Sequence, residues 1–159
     1  MKHITATSHS AEPFPIAIVV STFNESITKE LKHGVLQQLF KKGFSEEHIC
    51  LIEVPGAVEI PIVAKRLAMA GQVSVIIALG AVIRGETSHY DYVCEQISNG
   101  CQRVALDYNI PVIFGVLTTE NEEQAKARLG GLHGHKGIEA ADCAIAMHNI
   151  LLQVDNLSR

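Results

Sequence analysis

The chain has 159 residues, which is enough for one domain with its own hydrophobic core. Hydrophobic residues make up 47% and charged residues 19%, a balance typical of globular rather than disordered proteins. The net charge is −4 and no basic stripe stands out, which argues against a nucleic-acid partner. No apolar run approaches the length of a membrane span, and residues 1–15 do not resemble a secretory signal. We therefore expect a cytoplasmic protein without a membrane partner.

Short apolar runs rich in β-branched residues alternate with segments whose apolar residues recur every three or four positions. The first pattern is typical of buried strands, and the second is typical of helices packed on a sheet. After a polar arm at residues 1–14, the predicted elements are a strand at 16–20, a helix at 26–42, a strand at 49–54, a helix with Pro61 in its first turn, a strand at 73–81, a helix at 89–108, a strand at 111–117, a short helix ending at Leu129 and a helix at 138–154. Thr119 and Glu122 form a capping-box pattern that predicts the start of the short helix.

This order predicts the fold class. Strands that alternate with helices of ten or more residues call for a parallel sheet with helices on both faces. We predict a single α/β domain at residues 15–159, a three-layer α-β-α sandwich. Its four core strands should follow a flavodoxin-like order. The sequence of the arm at 1–14 does not decide whether an N-terminal strand from a neighbouring subunit completes the sheet.

The four cysteines show no spacing typical of a metal site or a redox motif. They are Cys50, Cys94, Cys101 and Cys143. We expect them to be buried small hydrophobic residues in a reducing compartment. His133 and His135 share a glycine-rich loop at 130–137 but lack further ligands at a recognisable spacing, so we expect no metal site. The glycines of that loop favour a tight turn between helices.

Side chains that could bind a ligand or take part in a reaction follow the ends of the predicted strands. In open α/β sheets ligands bind beyond the carboxyl ends of the strands, where Phe23, Glu59 and His89 should meet. The turn at 84–88 offers backbone N–H groups to an anion, and an imidazole can transfer protons near neutral pH. We infer a site for a small anionic substrate. Each residue also has a structural interpretation: a core aromatic, a carboxylate at a helix start and a surface histidine. Arg84 is expected to pair with Glu86 or another acid.

Several motifs together resemble the 6,7-dimethyl-8-ribityllumazine synthase family, which acts in the penultimate step of riboflavin biosynthesis. They are Phe23-Asn24, the run from Val54 to Pro61, the run from Ala78 to Val93, the run from Pro111 to Glu120, Gln124-Ala125 and Arg128. The resemblance extends from about residue 15 to residue 152, in order and with the family's spacing. It implies condensation of 5-amino-6-(D-ribitylamino)uracil with 3,4-dihydroxy-2-butanone 4-phosphate, releasing phosphate and water. No metal or redox cofactor is implied.

The resemblance also implies roles for individual residues. His89 would be the general acid/base, and Phe23 would stack on the pyrimidine ring. The other implied contacts are Ala57, Val58 and Glu59 with the ribityl chain, the backbone of Ala81, Val82 and Ile83 with the pyrimidine edge, Phe114 in the pyrimidine pocket, and Glu86, Thr87 and Arg128 with the phosphate. Asn24 and Lys136 are further candidates.

Two of these residues lie away from the expected rim. Arg128 would end a helix that starts near Glu120, about 12 Å from the rim at the rise of an α-helix, and Phe114 lies in mid-strand. We therefore predict a shared site in which a neighbouring subunit supplies both residues, and the family's pentamers agree with this. The sequence does not decide between a pentamer and a sixty-subunit shell, or whether riboflavin synthase is a partner. Leu132 and His135 depart from the lysine and asparagine of many members.

Two alternatives to the enzyme remain open from the sequence. One is a family member that binds lumazine or riboflavin with weak turnover, and the other is a structural shell subunit. A protein that only assembles has no reason to combine Phe23, Glu59, His89 and Arg128. This combination favours the enzyme.

Overall fold

A computed structural model describes residues 1–9 and 12–159. In chain order the described elements are β1 (Ile16–Ser21), α1 (Glu25–Lys41), β2 (Ile49–Val54), α2 (Ile60–Ala70), β3 (Val75–Ile83), α3 (His89–Tyr108), β4 (Val112–Thr119), α4 (Glu122–Lys126) and α5 (Lys136–Asp155). Short 3₁₀ turns occur at Glu46–His48, Ala57–Glu59 and Asn156–Ser158.

The four strands form one parallel sheet in the order β2-β1-β3-β4. The central strands β1 and β3 are buried on both faces, which explains why they read as continuous apolar runs. Alternate residues point to opposite layers: Ile18 and Val20 join the core under α1 and α5, while Ala17 and Val19 join the core under α2 and α3. The predicted three-layer α/β fold with a flavodoxin-like sheet is confirmed.

The predicted capping box at Thr119 is wrong. Thr119 is the last residue of β4, because pairing with the end of β3 extends that strand beyond residue 117. Its hydroxyl donates a 2.8 Å hydrogen bond to the Asn121 carbonyl. Asn121 is the actual N-cap of α4, and its side-chain oxygen accepts from the Gln124 N–H at 2.8 Å. The helix ends at Lys126, well before residue 129.

The expectation that the cysteines are buried is only partly right. Cys101 on α3 is 2% exposed, and burial raises the pKa of its thiol to about 11. Cys94 is half-buried, whereas Cys50 and Cys143 are exposed. Cys50 lies on β2 at the edge of the sheet, and Cys143 lies beside the buried stripe of α5 rather than in it. Sequence spacing does not distinguish these surroundings.

The arm packs against its own chain in the residues that are described. The Asn149 side chain on α5 donates to the carbonyls of Thr7 and His9 at 3.2 and 3.0 Å. Phe14 is buried, and its ring stacks on His148 with 3.6 Å between the ring centroids. Within residues 1–9 and 12–159, none of the helices combines the length and apolar character that a membrane crossing needs.

Candidate active site

A cleft of about 290 Å³ lies beyond the carboxyl ends of β1 and β3, beside the start of α2. Its walls come from the segment after β1, the turn at residues 56–58, the end of β3, the connection that follows it and the first two turns of α3. Among the candidates from the sequence, those that line it are Phe23, Asn24, Ala57, Val58, Ala81, Val82, Ile83, Thr87 and His89. These residues come from three separate parts of the chain, and the parallel sheet brings them together.

The segment after β1 is fixed by hydrogen bonds to its neighbours. The backbone N–H groups of Thr22 and Phe23 donate to the carbonyls of Val54 and Pro55 at 2.8 and 3.0 Å. Asn24 then adopts the left-handed backbone conformation with a φ of 58°, which asparagine tolerates better than most residues. Phe23 is 69% exposed, so one face of its ring is free to stack on a planar ligand.

The β3–α3 connection provides the polar part of the cleft. Ala81 and Val82 are buried at the end of β3, and α3 begins at His89. Ser88, the residue before the helix, makes no side-chain capping bond. Within the described residues the backbone N–H groups of Glu86 and Thr87 donate no hydrogen bond, so they are available to an anion. The His89 N–H donates to the Thr87 hydroxyl at 3.3 Å. The His89 side chain is exposed, which suits proton exchange with a ligand.

Tyr90 and Val93 line the cleft although the sequence did not single them out. Val93 is four positions after His89 and three after Tyr90, so helical spacing is the signal that could have found Val93. Tyr90 is the immediate neighbour of His89, and no such spacing points to it. Burial raises the pKa of Tyr90, whose hydroxyl also hydrogen-bonds to Thr118 on β4. This residue therefore keeps its phenolic proton near neutral pH. Gly56 and Gly85 complete the lining.

Arg84 pairs with acids other than Glu86. Its Nε lies 2.7 Å from a carboxylate oxygen of Glu120, and its Nη2 lies 3.2 Å from Asp91. The guanidinium also lies over the Tyr90 ring, 4.2 Å from the centroid. Hydrogen bonds to Asp91 and then to Glu120 raise the pKa of Arg84. Arg84 is thus engaged at the rim of the cleft and does not line it.

Glu59 and Glu86 are adjacent to the cleft without lining it. Glu59 ends the 3₁₀ turn before α2 and is exposed. Its carboxylate folds over Gly56, since a Cβ built on that glycine would lie 2.8 Å from Glu59 Oε2. Glu86 is exposed between two lining residues, Gly85 and Thr87.

Phe114, Arg128 and Lys136 lie outside the cleft of their own chain. Phe114 is 45% exposed on β4 and pairs with Ala78, three residues before the first β3 residue in the lining. Arg128 lies in a turn after α4, not in the longer helix that the sequence predicted. Its carbonyl accepts the Lys136 N–H at 2.8 Å, so these two candidates are neighbours. In the described residues, no three histidine, cysteine, aspartate or glutamate side chains are grouped as metal ligands.

Comparison with known proteins gives consistent matches across the domain. Residues 13–151 match the family model described as 6,7-dimethyl-8-ribityllumazine synthase. Two relatives named 6,7-dimethyl-8-ribityllumazine synthase, from the Nine Mile phase I and Dugway strains of Coxiella burnetii, are each 53% identical to the chain over 142 residues. Each match covers 89% of this chain and 94% of the relative. The matched region of the family model contains all four strands and the whole cleft lining.

Proposed function

The chain belongs to the 6,7-dimethyl-8-ribityllumazine synthase family and catalyses the lumazine-forming condensation of riboflavin biosynthesis, and we propose its substrates and residue roles from the cleft. The substrates are 5-amino-6-(D-ribitylamino)uracil and 3,4-dihydroxy-2-butanone 4-phosphate. The observation that carries this proposal is that one cleft combines an exposed aromatic ring, free backbone N–H groups and an imidazole. A planar ring, a phosphate and a proton transfer require these three features.

The pyrimidine occupies the apolar side of the cleft in this proposal. Its ring stacks on Phe23, and its polar edge bonds to the backbone of Ala81, Val82 and Ile83, which line the opposite wall. The ribityl chain extends along Ala57 and Val58 toward Glu59, whose carboxylate accepts from hydroxyl groups. The exposure of Phe23 and the position of Glu59 above Gly56 support this orientation.

The phosphate and the proton transfers are assigned to the β3–α3 connection. Backbone N–H groups of Glu86 and Thr87 bind the phosphate, and the Glu86 side chain points away from it. His89 moves protons during imine formation, phosphate elimination and ring closure. The three steps need a positioned acid/base and a bound leaving group, and the turn supplies both within five residues.

The remaining candidates come from a neighbouring subunit in this proposal. Phe114 and Arg128 are partly exposed outside their own chain's cleft, where an adjacent copy can receive them. Phe114 completes the pyrimidine pocket, and Arg128 contributes the cation for the phosphate, with Lys136 beside it. The assembly is a pentamer or a sixty-subunit shell with sites between adjacent subunits. Sedimentation velocity distinguishes the two sizes.

The proposal includes a cytoplasmic location, which the four free cysteines of the described chain favour. Riboflavin synthase, the enzyme class that consumes a lumazine product, is the partner to test by co-sedimentation. The direct test of the function is steady-state formation of 6,7-dimethyl-8-ribityllumazine from the two substrates, followed by its absorbance. A rate no higher than the uncatalysed reaction would reject the proposed substrates. Binding of the lumazine without turnover would instead support a binding or shell protein.

A further inference from the structure

Three charged side chains from three separate elements meet at the rim of the cleft. Arg84 follows β3, Asp91 lies in the first turn of α3, and Glu120 follows β4. The Arg84 guanidinium contacts both carboxylates, at 2.7 Å to Glu120 and at 3.2 Å to Asp91. The third guanidinium nitrogen, Nη1, lies 3.5 Å from the other oxygen of Asp91. The arginine side chain therefore connects two neighbouring strand ends to the helix that carries His89.

The turn between Arg84 and Asp91 has little packing of its own. A Cβ built on Gly85 would meet no atom within 4 Å, and residues 85–89 are all exposed. The contact from Arg84 to Asp91 closes this turn from its two ends. Stacking on the Tyr90 ring keeps the guanidinium over the start of α3.

The carboxylates of this cluster are unfavourable neighbours for a phosphate. Asp91 is four residues from Thr87, and Glu86 adds a third negative side chain to the turn. A phosphate bound at the turn N–H groups would be repelled by Asp91 and Glu120 if their charges were not compensated. Arg84 forms ion pairs with both of these carboxylates, so its positive charge is already paired within the protein.

We propose that Arg84 is a positioning residue for the phosphate-bearing substrate: its single positive charge compensates part of the negative charge of Asp91 and Glu120 beside the turn whose N–H groups bind the phosphate. This inference rests on the proposed function, and it assigns a role in phosphate binding to a residue that does not line the cleft. It requires Arg84 to act through the two carboxylates and not as a direct phosphate ligand.

The first test replaces Arg84 with methionine, which keeps an apolar side chain over Tyr90 and removes the charge. Isothermal titration with inorganic phosphate should show binding weakened by about tenfold, because two exposed charges lose their compensation. The KM for the butanone phosphate should rise by a similar factor, while the KM for the pyrimidine stays within about twofold. Arg84→Lys, which keeps the charge, should restore much of the phosphate affinity. Arg103→Met is the matched control, since Arg103 pairs with Asp107 at the far end of α3.

The triple variant Arg84→Met, Asp91→Asn, Glu120→Gln separates the two ways in which an arginine can help. If Arg84 compensates the carboxylates, the triple variant binds phosphate nearly as well as the wild type. A triple variant as weak as the single one would overturn the inference, because removal of the two carboxylates would then not restore phosphate binding. Unchanged phosphate binding in Arg84→Met would overturn it as well. Phosphate titration does not require turnover. If the wild type forms no lumazine, the proposed function is rejected, and the titration still decides the role of Arg84 in phosphate binding.

Discussion

The Asn24 side chain donates a 2.9 Å hydrogen bond to the carbonyl of Ala81, and this bond joins the residue after Phe23 to the end of β3. The two residues are 57 positions apart, and both line the cleft. The bond thus fixes the aromatic wall against the strand that faces it. Because the Ala81 carbonyl has a second lone pair, it can still accept from a ligand.

Replacing Asn24 tests this connection. Asn24→Gly removes the donor but keeps the left-handed backbone accessible, so the free energy of unfolding should fall by about 1 kcal/mol. Asn24→Ala adds backbone strain and should cost about 2 kcal/mol. Both variants should raise the KM for the pyrimidine more than the KM for the phosphate substrate. Urea denaturation and steady-state kinetics measure the two effects. Equal stability of wild type and Asn24→Gly would show that the bond contributes nothing.

His89→Ala tests the assignment of the proton-transfer group. Turnover should fall by about 10²–10⁴-fold if this imidazole is the main acid/base. The fold should be unaffected, because the His89 side chain is exposed at the start of α3. Circular dichroism and sedimentation provide the control for folding and assembly. A loss of less than about threefold would contradict the assignment and direct attention to Tyr90.

Mixed assemblies test whether sites are shared between subunits. His89→Ala and Arg128→Ala homo-oligomers should each be nearly inactive. After co-refolding in equal amounts, about a quarter of the sites should combine an intact His89 with an intact Arg128 from the next subunit. Activity should therefore recover to about a quarter of the wild type. If both residues of a site belong to one chain, the mixture stays inactive, and the shared site is rejected.

Hydrophobic periodicity predicted most of the fold. The bounds of β2 and α3 match the prediction to the residue. The short apolar run of β2 is stopped by Pro55 and Gly56, and the long periodic pattern of α3 ends before Asn109 and Pro111. The start of α4 was missed because Thr119 and Asn121 are both good N-caps. Only the pairing of β4 with β3 decides between them, and it places Thr119 in the strand.

Residues of the candidate site were predictable where they lie in the connection after a strand, as Phe23 does after β1 and His89 does at the start of the helix after β3. Contacts between segments that are distant in the sequence were not predictable. Glu120 is 36 residues from Arg84, and the sheet order alone brings them together. The sequence could state that Arg84 pairs with an acid but not which one. The hydrogen bond between Asn24 and Ala81 was not predictable either, because it also joins two segments that only the sheet order brings together.

The contact between Gly34 and His135 leads to a prediction about stability. A Cβ built on Gly34 of α1 would clash with the imidazole of His135, whose Nδ1 lies 2.7 Å from that position. His135 also caps α5, where Nδ1 accepts from the Gly137 N–H at 3.1 Å. Gly34→Ala should therefore destabilise the protein by about 1–3 kcal/mol, despite the better helix propensity of alanine.

The double variant Gly34→Ala, His135→Asn identifies the cause. Asparagine is a good N-cap with a smaller side chain, so it should preserve the cap and make room for the new methyl group. Most of the lost stability should return, which thermal denaturation of the four members of the cycle measures. Additive effects in that cycle would exclude a clash between the two side chains.

The stacked pair of Phe14 and His148 makes stability depend on pH. Burial lowers the pKa of His148, so the unfolded chain takes up a proton at a higher pH than the folded one. Unfolding therefore binds a proton between the two values, and stability should fall as the pH decreases from about 6.5 through the folded pKa. His148→Phe keeps an aromatic ring against Phe14 and cannot be protonated, so it should reduce this loss. Chemical denaturation between pH 8 and pH 5 measures it, with His33→Gln on the exposed side of α1 as the control. Parallel curves for wild type and His148→Phe would assign the acid sensitivity to other groups.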